Sequence, residues 1–326
     1  MTGEESGPLR EQAGNHHIRD EPRVARERPA AALAAQGISV PSWCKGSLPG
    51  EHRYGCSPGS ARRAIHLHHP AIEIVEGDVR VASDVQRAVD GTQVVVSAVH
   101  GFAGPGGVSP ASIDREGNRR LIDAAVRAHA TIILMSVVGA ASDHPMELFR
   151  MKDAAERHLR ASAAHWTIVR STAFLETWID LMVQTTDRSG RALVFGRGDN
   201  PINFVSVRDV GTLVERVFAD PGARMQTLEI GGPEHITMTT LAIAVQPAGP
   251  DVAPRHMPRS ALRAMSLVFR PFWAERARQA AAALVLDTID MRFDPAAIRA
   301  RYPDLPLTSP SDVIARIARE KNQRPH

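Results

Sequence analysis

The chain has 326 residues, enough for one large α/β domain or two small ones. Its hydrophobic content of 43% and charged content of 23% are those of an ordinary soluble globular protein, and its formal net charge is only +3. The arginines form no basic block, no apolar run approaches the roughly 18 residues of a membrane span, and only two cysteines occur; we therefore expect a cytoplasmic protein with neither a nucleic-acid nor a membrane partner.

The N-terminal part of the chain has a weak structural pattern. Residues 1–27 are polar and have no apolar period, so the sequence predicts disorder there. The alanine-rich stretch PAAALAAQGISV, residues 29–40, predicts a helix that ends near Gly37 and leads into a short strand. Residues 41–60 are rich in turn formers and predict a loop.

Beyond residue 70, strand and helix patterns alternate. The strand patterns include AIEIVEGDV, TQVVVSAV, TIILMSVVGA, HWTIVRST and MQTLEIGGP; the helix patterns include VASDVQRAVDG, SIDREGNRRLIDAAVRAHA and ELFRMKDAAERHLRAS. Continuous β-branched runs are typical of parallel strands that are buried on both faces. The sequence therefore predicts an α/β fold with a doubly wound, mostly parallel, Rossmann-like sheet.

The order and spacing of these stretches, with FRMKDAAE, WTIVRSTAFLE and NFVSVRDVGTLVERVFADP, resemble the NmrA-like branch of the atypical short-chain dehydrogenases/reductases. The resemblance implies one NAD(P)-binding domain over residues 28–326. Its core would be residues 62–220, and residues 175–205 and 233–326 would form a small C-terminal substrate lobe. The implied cofactor is NADP or NAD, with a slight preference for NADP.

The N-terminus departs from this family pattern. Members begin with a strand and a TGxxGxxG turn that lets the backbone approach a pyrophosphate. Only MTGEESG offers such glycines here, and Met1 alone precedes it. The sequence therefore predicts an aberrant N-terminus that lacks the first strand and the glycine-rich loop, and it identifies no residue that chooses between NAD and NADP.

The resemblance implies that Lys152 and Ser136 are the catalytic residues. Lys152 would hydrogen-bond the nicotinamide ribose, and Ser136 would hydrogen-bond a substrate carbonyl. The usual tyrosine lies four residues before the lysine, and Leu148 occupies that position. Two alternatives remain open: Lys152 is a solvated lysine paired with Glu156, and Ser136 is an ordinary serine at a strand end.

The resemblance also assigns residues to the cofactor and the substrate. The implied cofactor-binding residues are Asp78, Ser97, Ala98, Val99, Lys152, Thr172, Ala173 and Phe174, and the implied substrate pocket contains Phe174 and Trp178. The alternatives are a turn aspartate at Asp78 and plain packing elsewhere. Asn118 would tie neighbouring backbone segments together, and Asp209 would brace a helix. No metal site is predicted, because the histidines of HLHHP fall in a predicted loop.

Three functions remain open at this stage. The first is an NAD(P)H-dependent reductase of a small carbonyl or quinone-like substrate that works without the tyrosine acid. The second is a non-catalytic NADP sensor that binds a regulatory protein partner, and the third is a degenerate homologue that binds no cofactor. The sequence does not predict an oligomeric state.

Overall fold

A seven-stranded parallel sheet forms the centre of the protein in the computed structural model, which describes residues 30–34, 52–56, 72–102 and 107–322. Numbered in chain order, its strands are β1 Ala30–Ala34, β2 His52–Cys56, β3 Ile72–Glu76, β4 Val94–Ser97, β5 Thr131–Val137, β6 Trp166–Ser171 and β10 Gln226–Ile230. Their spatial order is β3-β2-β1-β4-β5-β6-β10. The predicted doubly wound, Rossmann-like sheet is confirmed.

Helices connect these strands and cover the sheet. They are α1 Ala82–Val89, α2 Glu116–Arg127, α3 Glu147–Arg160, α4 Leu175–Gln184, α5 Val207–Ala219, α6 Met238–Val245, α7 Arg259–Val268, α8 Ala274–Leu286, α9 Ala296–Arg301 and α10 Pro310–Asn322. A π-helical turn, Ala111–Arg115, leads directly into α2. None of the helices in the described ranges is long and apolar enough to span a bilayer.

Alternating helices divide the core into two layers. Ile132 and Leu134 of β5 pack under α2 and α3, while Ile133 and Met135 face the opposite side with α5. This division follows from the pleat of a strand, in which successive side chains point to opposite faces. It explains why β5 is apolar along almost its whole length.

The helix predicted over residues 29–40 is wrong for Ala30–Ala34. These residues form β1, which pairs in parallel with β2 on one side and β4 on the other. Alanine favours helices locally, but pairing to two neighbouring strands satisfies the same backbone groups and outweighs that preference. The first strand, expected to be missing, is therefore present at its usual place in the sheet.

The loop predicted for residues 41–60 is also wrong in part. His52–Cys56 form β2, which pairs with β1 and β3. The segment HRYGC has no β-branched residue and no alternation, so its strand character arises from its neighbours in the sheet. Residues 1–27, MTGEESG and the segment that follows β1 lie outside the described residues.

Smaller elements follow β6. Strands β7 Ala173–Phe174, β9 Ile202–Val205 and β11 His235–Ile236 form a three-stranded sheet, and β8 Leu193–Phe195 pairs with β12 Arg255–Met257. Asp209 at the start of α5 accepts hydrogen bonds from the Thr308 backbone N–H at 2.6 Å and hydroxyl at 2.7 Å. It thus braces α5 against the segment before α10. The limits of the core and C-terminal lobe stay a prediction.

Candidate functional site

The direction of chain connection reverses between β1 and β4. β2 and β3 lie on one side of β1, whereas β5 and β6 continue from β4 on the other. Ligands of open parallel sheets bind outside the carboxyl ends of the strands at such a switch point. β4 ends there at Ser97, which is 2% exposed, and is followed by half-buried Ala98 and by Val99, which is 2% exposed. Ser97, Ala98 and Val99 therefore lie at this edge.

Lys152 is buried next to the end of β4. Its side chain is only 6% exposed, and Nζ lies 3.0 Å from Oδ1 of Asp114, which has no exposed side-chain surface. Nζ also donates hydrogen bonds to the carbonyls of Val99 at 2.9 Å and Met135 at 3.1 Å. The alternative of a solvated lysine paired with Glu156 is therefore wrong. Two carbonyl oxygens and one carboxylate oxygen therefore lie around the ammonium group.

Asp114 completes a clamp around the residue that follows Val99. Its Oδ2 accepts the Gly101 backbone N–H at 2.8 Å, so Lys152 and Asp114 bind the peptide groups on both sides of His100. Oδ1 has no well-aligned hydrogen-bond donor among the described residues, although Nζ is close. The Lys152–Asp114 contact is therefore mainly a charge pair, which is strong in a buried setting.

A π-helical turn places Asp114. The wide turn Ala111–Arg115 is followed by Asn118, whose amide donates to the Asp114 carbonyl at 2.8 Å. The Asn118 side-chain oxygen accepts the Ser97 hydroxyl at 2.6 Å. Asn118 thus ties β4 to the turn, in agreement with its predicted structural role. Such π-turns are frequent at functional sites because they redirect side chains.

His100 is the side chain that this clamp presents. It is half-buried, and its ring nitrogens have no hydrogen-bond partner in the described part of the chain. Burial lowers the pKa of His100 below 6.5, the Asp114 carboxylate opposes this change, and the Lys152 ammonium adds to it. An imidazole without a structural partner at the carboxyl edge of the sheet is able to exchange a proton with a ligand.

Ser136 belongs to a second buried network. Its hydroxyl donates to Glu156 Oε1 at 2.5 Å. The fully buried Glu156 also accepts Arg170 Nε at 2.9 Å and Nη2 at 2.7 Å, together with Arg160 Nη2 at 2.9 Å. Burial raises the pKa of Glu156, but the hydrogen bonds from Arg170 and Ser136 and the charges of Arg170 and Arg160 outweigh it, and the net pKa is lowered. The Ser136 hydroxyl proton is thus committed to Glu156.

We expect Glu156→Gln to lower the free energy of unfolding by about 2 kcal/mol near neutral pH, because two guanidinium groups lose their common charged partner. The folded-state pKa of Glu156 lies below its ordinary value of 4.5. Its stabilisation is therefore full above pH 4.5 and is lost as the pH falls through the folded-state pKa. Urea unfolding of both proteins across acidic pH measures this.

The control is Glu147→Gln on the same helix, because Glu147 makes no ion pair among the described residues. If the difference in the free energy of unfolding between the wild type and Glu156→Gln stays constant as the pH falls, the assigned charge network is wrong.

Leu148 lies in an apolar wall one helical turn before Lys152. It packs with Met146, Phe149 and Phe102 against Ala282, Val285 and Leu286 of α8. The position that holds a phenol in tyrosine-dependent enzymes therefore carries no proton donor. One helical turn before Lys152, α3 thus packs apolar side chains against α8.

The segment after β6 continues along the same edge. Thr172 donates its hydroxyl to the side-chain oxygen of Asn203 at 3.1 Å, and Ala173–Phe174 pair in parallel with β9. Thr172, Ala173 and Phe174 are all half-buried. Phe174 and Ala98 both pack against the core cluster that contains Met135. The cofactor contacts of these residues stay a prediction.

Trp178 lies in a different cluster from Phe174. It borders a cavity of about 30 Å³, lined by Leu181, Leu193, Met238 and Leu286 among others. That volume holds about one water molecule and is far below the several hundred Å³ of typical ligand pockets. The joint role of Phe174 and Trp178 at a substrate pocket stays a prediction.

Asp78 lies two residues beyond β3 and is bound by Arg80. Arg80 donates from its backbone N–H at 2.8 Å, from Nε at 3.0 and 2.9 Å, and from Nη2 at 2.6 Å. The hydrogen bond from the Arg80 side chain lowers the pKa of Asp78. This is the geometry of the turn-aspartate alternative, and the predicted contact with adenine stays a prediction.

The residues that the sequence did not single out are His100 and Asp114. The available signal for His100 was its place directly after the buried run TQVVVSAV. No sequence pattern distinguishes Asp114, because it lies in a stretch that predicts an ordinary helix. It becomes a partner of Lys152 only in the folded chain. No group of three or more potential metal ligands occurs within the described ranges.

The edge described above fits a dinucleotide. Half-buried Ala98, Thr172 and Phe174 offer contact surface, and the carboxylates of Asp78 and Asp114 are each paired with a cation. Neither carboxylate would therefore strongly repel a pyrophosphate. The segment after β1, where the phosphate turn of such folds occurs, lies outside the described residues.

Comparison with known proteins agrees with this geometry. Residues 60–221 match the family described as NAD(P)H-binding. A curated relative, an NAD(P)H azoreductase of Xenophilus azovorans, is 24% identical over 190 residues, which cover 58% of this chain and 62% of that protein. The match thus spans less than two thirds of the relative.

Solved structures share the fold. The NADPH complex of a quinone oxidoreductase from Escherichia coli superposes with a TM-score of 0.66 at 15% identity, covering 88% of this chain and 99% of that one. A triphenylmethane reductase of Citrobacter sp. complexed with NADP(H) gives a TM-score of 0.67, again at 15% identity with coverage of 88% and 99%. Residues 60–221 therefore match an NAD(P)H-binding family, and the chain shares the fold of these NADPH- and NADP(H)-bound structures.

Proposed function

We propose that the protein is an NAD(P)H-dependent reductase of the NmrA-like subtype that acts on a small carbonyl or quinone-like acceptor. The observation that carries the proposal is the Lys152–Asp114 clamp, which holds His100 at the carboxyl end of β4. The azoreductase relative and the quinone and dye reductases of similar fold favour a flat, conjugated acceptor.

Reduced NAD(P) supplies a hydride when it is bound, and the reduced acceptor also needs one proton. Leu148 has no proton to give, and the Ser136 hydroxyl is donated to Glu156. His100 is then the titratable side chain at this edge that holds a proton without a structural partner among the described residues. Its imidazolium donates that proton to the acceptor oxygen or nitrogen.

In this mechanism Lys152 is a positioning residue that holds the backbone next to His100. Its ammonium donates to the Val99 and Met135 carbonyls and pairs by charge with Asp114, so a hydrogen bond to the nicotinamide ribose would compete with these contacts. The ammonium charge also disfavours the protonated form of His100, which makes the imidazolium a stronger acid. The wall around Leu148 limits water near the reacting groups.

A second candidate is the dinucleotide-sensing regulator. It is favoured by the missing phenol at Leu148 and by the commitment of Ser136 to Glu156, which remove two usual donors. In this case the chain binds NADP, and a protein partner responds to the bound state without turnover.

Titration of the full chain with NADPH and NADH, followed by thermal shift, separates these functions. We expect saturable stabilisation by at least one dinucleotide. We also expect nicotinamide oxidation with one or more members of a panel of quinones, azo dyes and aldehydes. Binding without turnover across the panel would favour the sensor over the reductase, and no binding of either dinucleotide would overturn both.

A further inference from the structure

The end of α7 and the turn that leads into α8 carry an unusual exposed apolar surface, here called the hairpin tip, residues 267–273. Leu267 is 68% exposed, Val268 62%, Phe272 79% and Trp273 59%. These four are half of the eight large hydrophobic residues exposed in the described part of the chain. Apolar side chains concentrated at one point of a surface mark an interaction site more often than single exposed residues do.

The hairpin tip is an ordered structure. The rings of Phe269 and Trp273 meet edge to face with centroids 5.2 Å apart. The backbone N–H groups of Phe272 and Trp273 both donate to the Phe269 carbonyl, at 3.2 and 2.7 Å. The turn therefore holds the apolar side chains outward in a defined arrangement, and their exposure is a property of the fold.

Positive charge surrounds the hairpin tip. Arg263, Arg270 and Arg276 are exposed and make no side-chain hydrogen bond or ion pair within the described ranges. Glu275 is the only acidic residue between Pro258 and Leu286. Two other arginines of the hairpin are used internally, Arg259 near Asp287 at 3.5 Å and Arg278 on the Val108 carbonyl at 3.1 Å.

We propose that the hairpin tip binds the surface of an anionic lipid bilayer. Tryptophan and phenylalanine insert at the level of lipid headgroups, and flanking arginines are attracted to anionic lipids. A second copy of the chain fits less well, because a two-fold interface over the tip would place each of these arginines near like charges of the other copy. A contact with the bilayer surface needs no membrane-spanning helix. The expectation that the protein has no membrane partner rested on the lack of a long apolar run, which does not exclude such a contact.

The inference goes beyond the proposed reductase function, but it bears on the site. The inner face of α8 packs Ala282 against Met146 and Phe149, beside the apolar wall of Leu148. Bilayer contact at the tip would therefore bring the site region close to the membrane surface, where lipophilic acceptors partition. The membrane contact is tested by binding alone, so the test does not depend on turnover.

Vesicle flotation with the full chain tests the proposal. We expect binding to vesicles of phosphatidylcholine with phosphatidylglycerol that is about tenfold or more stronger than binding to phosphatidylcholine alone, and weaker at high salt. F272S/W273S should lose this binding while the chain stays folded, because both side chains are largely exposed and only the Phe269–Trp273 ring contact is removed. R263Q/R270Q/R276Q should remove the preference for anionic lipid.

The matched control is V183S/V252S, which removes two exposed apolar side chains elsewhere on the described surface. It should bind anionic vesicles as the wild type does. Failure of the wild type to float, or equal flotation of F272S/W273S, would overturn the proposal. A third outcome would also overturn it: the wild type is a dimer in light scattering and does not bind vesicles, while F272S/W273S is a monomer. A second copy of the chain would then cover the hairpin tip.

Discussion

Replacing Lys152 by methionine is expected to lower the free energy of unfolding by about 3–5 kcal/mol, since it leaves a buried carboxylate without its cation. Asp114 has no exposed side-chain surface, and its Oδ1 has no well-aligned hydrogen-bond donor among the described residues, so the Lys152 ammonium 3.0 Å away is its charge partner. Methionine matches the length and apolar stem of lysine, so the loss reflects charge more than volume. Urea unfolding near neutral pH measures it.

The double variant D114N/K152M is the decisive comparison. Removing both charges avoids an unpaired buried ion, so most of the stability lost in K152M should return. Arg157→Met on the same helix is the matched control, because Arg157 is 63% exposed and its ion pair with Asp153 contributes little. If K152M lowers the free energy of unfolding no more than Arg157→Met does, the Lys152–Asp114 clamp does not stabilise the fold.

His100→Gln should reduce kcat/KM for the proposed reduction by about 10²-fold or more at acidic pH, where the wild-type imidazole is protonated. The pKa of His100 is lowered from 6.5, first by burial and then by Lys152, with Asp114 opposing. Wild-type activity should therefore fall as the pH rises through a value below 6.5. The variant should have no such decline.

Initial rates over a pH series, with dinucleotide saturating, measure this effect. NADPH binding by the variant should stay near that of the wild type, which separates proton supply from cofactor binding. His165→Gln is the control, because His165 is exposed and remote in sequence from the clamp. A wild-type pH profile that His100→Gln leaves unchanged would assign the proton to another source, while a wild type without turnover would argue against the reductase itself.

The part of the fold from β3 onward could be predicted from the sequence because its signals are local. Runs such as Val94–Ser97 and Thr131–Val137 are apolar enough to indicate strands buried on both faces, and both are parallel strands of the sheet. β1 and β2 could not be predicted. Ala30–Ala34 has the composition of a helix, and His52–Cys56 has no strand alternation, so only pairing with neighbouring strands makes either of them extended.

By itself, the sequence determined that an alternating α/β chain builds a doubly wound parallel sheet, because hydrophobic periodicity is a local property of consecutive residues. It also placed Lys152 in a helix next to that sheet. Only the tertiary structure decided what Lys152 does: the π-helical turn brings Asp114 to it, and the pair then holds the backbone around His100. Buried charge pairs join groups far apart along the chain, and burial sets their strength, so no local pattern reveals them.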